Sequence, residues 1–151
     1  MKFYSDHFFS IVRFVTAAAT EIGSELSITP PIFVNLDAHA DLTKLDKVDF
    51  LGVLGFGVVI ADKMLDAHCQ FAVSTYDDPN MVRHIQIMDI MADLLSPTKQ
   101  IPLFTAASGA AVENSWLVIQ SDVVIEPTAK DQFRTLQVIN VRFQSGRSGR
   151  A

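Results

Sequence analysis

The chain has 151 residues, 49% of them hydrophobic and 19% charged, with a formal net charge of −5. That length suits one domain, which can bury roughly two-thirds of its unfolded surface and needs no covalent staple. The single cysteine, Cys69, excludes an internal disulfide framework and fits a reducing compartment.

Ser5 to about Ser24 reads as a helix. Phe8, Val12, Val15, Ala19 and Ile22 recur at helical spacing. Ser5 is placed to cap it, Asp6 suits the positive end of its dipole, and Gly23-Ser24 is a stop signal. Nor does this stretch read as a secretory leader, because Asp6, His7 and Arg13 interrupt it. Thr29-Pro30-Pro31 breaks the chain before a short strand at Ile32–Leu36, and the polar stretch Asp37–Lys47 reads as a loop.

Asp49–Ala61 and Ala67–Tyr76 read as the two strands of a hairpin. The apolar run at 50–61 falls short of the roughly twenty residues of a spanning helix. Its glycines, Gly52, Gly55 and Gly57, argue for a bulge, a bend or a close backbone approach. A second helix opens at Asp77-Asp78-Pro79, with Asp78 as cap and Pro79 at the first helical position. Met81, Ile85, Met88, Ala92 and Leu95 line one face, Ile87, Ile90, Met91 and Leu94 widen it so that the helix should pack on more than one side, and Arg83, His84, Gln86, Asp89 and Asp93 form the polar remainder. Ser96-Pro97 ends this helix. Strands follow at Ile101–Thr105, Ser115–Glu126 and Leu136–Phe143, with a small-residue loop at 106–114 and a turn at Pro127–Gln132. The expected fold is α+β, a mainly antiparallel β-sheet packed against two helices. One domain spans 1–144, and 145–151 forms a flexible basic tail.

Charge divides unevenly along this chain. Lys130, Arg134, Arg142, Arg147 and Arg150 against Asp131 leave +4 from residue 130 onward, so residues 1–129 carry −9. Such a split suits attraction between copies or a tail that meets an acidic partner.

Motifs for chemistry are sparse. Gly52-Val-Leu-Gly55-Phe-Gly57 matches neither phosphate-loop pattern, and strand residues follow it where a helix should begin. Asp37, His39 and Asp41 alternate, so an extended backbone would point two carboxylates and an imidazole one way, a candidate metal set that lacks a fourth ligand. No GxSxG, CxxC or HExxH is present. Cys69 sits in a strand-like run and reads as a buried, inert thiol. His7 and His84 fall on polar helix faces and read as solvated. The acidic body speaks against a nucleic-acid groove. No cofactor and no small-molecule substrate is expected.

The order helix, strand, hairpin, helix and returning strands resembles the tail-terminator and tail-completion proteins of tailed phages. The local likeness runs from Ala67 to Asn80 into Met81–Leu95, and again in the last strand with its basic tail, 138–150. The Gly-rich run at 52–57 departs from that pattern. The resemblance implies a structural virion protein rather than an enzyme. Such a protein forms a homo-oligomeric ring, usually a hexamer, on the finished tail tube, where it stops tube growth and joins the tail to neck or connector proteins. It also implies a place in the virion after assembly in the host cytoplasm. Arg142, Arg147 and Arg150 are the candidate partner contacts. An adaptor domain in another assembly, or a small metal-binding enzyme at Asp37, His39 and Asp41, are the alternatives.

Overall fold

The computed structural model describes residues 3–28, 30–34, 48–61 and 64–147. Among them are two helices and eight strands: α1 (Phe3–Leu26), β1 (Ile32–Val34), β2 (Phe50–Ala61), β3 (Met64–Tyr76), α2 (Val82–Leu94), β4 (Gln100–Phe104), β5 (Ala111–Ile119), β6 (Val124–Ile125), β7 (Ala129–Asp131) and β8 (Arg134–Arg147). The strands form one curled, mostly antiparallel sheet in the order β1-β2-β3-β8-β5-β4. β1 alone pairs in parallel, on β2.

β8 is the spine. Along one edge it pairs with β3 from Tyr76↔Arg134 to Asp66↔Gln144. Along the other it meets β7, β6 and β5 in turn. The strand therefore continues through Arg147, and the stretch expected to be a free tail from residue 145 begins as sheet. Its backbone at Ser145 and Gly146 pairs with Leu117 and Trp116.

α1 and α2 cover one face. Ile11, Val15, Ala18 and Ile22 of α1, and Ile87 and Met91 of α2, are all but fully buried against Leu51, Val53, Phe71, Val73, Leu117, Ile139 and Phe143. α1 begins at Phe3, two residues before the start expected at Ser5. Ser5 is thus helical, and Asp6, 4% exposed, accepts the Ala106 N–H at 3.0 Å and ties the β4–β5 loop to the helix.

α2 departs more. It starts at Val82, after Met81 in a left-handed conformation. Met81, not Asp78, is therefore the capping residue, and Pro79 lies in the turn before the helix, although the Asp78 carboxylate still accepts the His84 N–H at 2.8 Å. Its buried line is His84, Ile87, Ile90 and Met91, while Ile85 is 53% exposed. His84 lies at 1% exposure instead of facing solvent because both ring nitrogens find partners: Thr75 Oγ1 at 3.1 Å and Gln137 Oε1 at 2.9 Å. His7 is likewise buried, with its Nε2 against Ser145 Oγ. A polar side chain can join a core when each of its groups is hydrogen-bonded.

Candidate functional site

The face of the sheet away from the helices carries the even-numbered residues of β3 and β8. The register sets His68 opposite Arg142, Gln70 opposite Asn140, Ala72 opposite Val138, Ser74 opposite Leu136 and Tyr76 opposite Arg134. This face has a closed half and an open half.

The closed half surrounds Phe50, which is 1% exposed although no helix covers it. Phe33 meets it edge-on at 5.4 Å, and the Arg134 guanidinium lies 5.1 Å from its ring centre and 5.4 Å from that of Tyr76. Arg134 also donates to Ser74 Oγ at 2.8 Å and to the Val48 carbonyl at 3.1 Å. Beside it, Asp49 accepts the Tyr76 N–H at 2.9 Å and a fork of two bonds from Arg83. The hydrogen bond to Asp49 raises the Arg83 pKa above its ordinary value, against the opposing effect of burial. A carboxylate 7% exposed is thus charge-paired and hydrogen-bonded, the condition for keeping it there.

The open half is a groove of about 470 Å³, bordered by Gly55, His68, Gln70, Asp122, Asn140 and Arg142. Gln70 Nε2 donates to Asn140 Oδ1, and Asn140 Nδ2 to Glu126 Oε1, each at 2.8 Å. Arg142 reaches Asp122 at 3.1 Å with both side chains about half exposed. Such a pair contributes about 0–1 kcal/mol, so a neighbour offering a better carboxylate can displace it. The glycines of β2 shape the rim. The register shifts between Leu54 and Gly57, and Gly55 takes φ +57, the expected bulge. At Gly57 a Cβ would sit 2.6 Å from the His68 ring, the expected close approach.

Chemically, the groove offers amides, one ion pair and one imidazole. Cys69 backs it from the core side at 3% exposure, and burial pushes its thiol well above the ordinary range, so the nucleophilic thiolate is suppressed. Among the described residues, no three His, Cys, Asp or Glu side chains stand together to hold a metal. Asp37, His39, Asp41 and Arg150 lie outside the described residues. Of the three candidate arginines, Arg142 is in the groove. Arg147 is placed only by its backbone, opposite Ser115 at the far end of β8. Asp122, Glu126, His68 and Gln70 join the groove without any motif that marks them in the sequence. Alternation along β3 and β8 was the available signal for the last two. Nothing in sequence links Asp122 to Arg142.

Compared with models of known protein families and with curated proteins, the chain matches none.

Proposed function

We propose that this protein is a structural assembly component, a homo-oligomer that forms a ring at the end of a phage tail tube, stops tube growth and joins the tail to the neck. The observation that carries the assembly part of this reading is the two-sided sheet. One face is sealed by α1 and α2. The other keeps a groove whose charged pair, Arg142 and Asp122, is half exposed and weakly held. Side chains there are arranged to contact a surface, and none forms a nucleophile–base pair. The phage-tail part rests on the resemblance in element order alone. Surface complementarity, with charge setting orientation, is the mechanism.

The test is solution mass by light scattering, with negative-stain images of the main peak, repeated for Arg142→Glu. The reading expects a closed ring of several copies that the charge reversal weakens or opens. A monomer that also fails to bind tail-tube ends would sink it. A defined non-ring complex would move the protein to an adaptor role in another assembly.

A further inference from the structure

Sheet edges present unpaired backbone donors and acceptors, and proteins ordinarily defend them with proline, charge, shortness or a covering element. Three edges here are defended. β4 carries Pro102, and Ser10 of α1 accepts the Phe104 N–H at 2.8 Å and donates to the Phe104 carbonyl at 3.3 Å. β7 is three residues long, fully exposed, and carries Lys130 and Asp131. β1 is three residues long.

β2 is different. Among the described residues, β1 covers it only at Leu51–Val53, which leaves the outer edge from Leu54 to Ala61 without a paired strand. That stretch has no charge and no proline. Val59 is 51% exposed and Ile60 75% exposed. Beside it, Tyr4 of α1, 62% exposed, rests edge-on against Phe56 at 5.0 Å.

We infer that the outer edge of β2 from Leu54 to Ala61 pairs with the same edge of a second copy, antiparallel about a two-fold axis, to continue the sheet through both chains. Two features name a second copy as the occupant. The edge is neutral within a chain of net charge −5, so two copies meet along it without like charges opposed, and a charged partner would find no counter-charge there. The defences on β4 and β7, and the two- and three-residue lengths of β6 and β1, leave this as the long open edge among the described strands, and an isologous contact needs only one such patch. Antiparallel addition supplies the backbone partners, and Val59, Ile60 and Tyr4 supply the apolar flank.

The experiment is light scattering on a sizing column for the wild-type chain and for Val59→Lys/Ile60→Lys, with melting temperature as the folding control. An even number of copies that halves in the folded variant is the expected result. A wild-type monomer at every concentration, or a variant of unchanged mass, overturns the pairing. Should the variant not fold, hydrogen exchange on the wild-type chain decides. Protection of amides 54–61 that fades on dilution supports the pairing, and concentration-independent protection places a segment of the same chain on the edge and overturns it. The ring proposal fails separately. A plain dimer halving to a monomer keeps the edge contact and removes the ring, whereas a ring indifferent to the two lysines does the reverse.

Discussion

The two ends of the β2–β3 ribbon use the same backbone pairing to opposite effect. At the end near Phe50 and Tyr76, the Arg134 guanidinium and Phe33 enclose the face that no helix covers, and the Asp49–Arg83 fork ties α2 to the strand end. At the other end, beyond the bulge at Gly55, Val59 and Ile60 stand in solvent. Strand pairing fixes the path of a ribbon in both places. Only side-chain closure makes one end part of the core, and its absence leaves the other end available.

Truncation at the closed end should cost most. Phe50→Ala removes a ring at 1% exposure, and a loss of about 3–5 kcal/mol is expected in urea unfolding. Asp49→Ala strips the partner from the Tyr76 N–H and from Arg83, and should lower the same midpoint by about 2–3 kcal/mol. A loss under about 0.5 kcal/mol for either would mean that this end is no more closed than the other. At the hinge between them, Gly55→Ala forces a β-carbon into the left-handed region and should cost about 1–2 kcal/mol. At the open end, Val59→Thr should stay within about 0.5 kcal/mol of wild type, measured at a concentration low enough to hold the monomer. A larger loss there would show that a partner or another segment already buries Val59. Between the ends, Cys69 should react with a thiol reagent only after denaturation, since burial keeps it protonated.

Periodicity made most of the fold legible. The run of Phe8, Val15 and Ile22 marked α1, and alternation marked β3 and β8, while the glycines of β2 signalled a bulge, a bend or a close approach without saying which residue does what; the bulge falls at Gly55 and the close approach at Gly57. What escaped was decided by distant partners. His84 reads as a surface residue on a helical wheel until Thr75 and Gln137 are brought to its two nitrogens. Ala129–Asp131, expected as a turn, is too short to show a period and becomes a strand only because β8 passes beside it, while the single strand expected from Ser115 to Glu126 is split into β5 and β6, both paired with β8. Ser145–Arg147 looks like a tail by composition, and pairs because β5 reaches past the end of β3. The groove itself was not legible: Arg142 was named from charge as a partner contact, while Asp122 follows a bend at Ser121 that local pattern does not connect to it.

The central place of β8 also sets a timetable for synthesis. The inner edge of β3, finished at Tyr76, meets no partner until Arg134 and the residues after it leave the ribosome. At roughly 5–20 residues per second that interval lasts several seconds, long compared with the microseconds in which a hairpin such as β2–β3 closes. During it the inner edge of β3 has no partner strand, while β1 and α1, made earlier, are already at hand for the outer edge and for the face bearing Phe71. Slow codons placed after Tyr76 would therefore lengthen the time in which the inner edge of β3 stands unpaired.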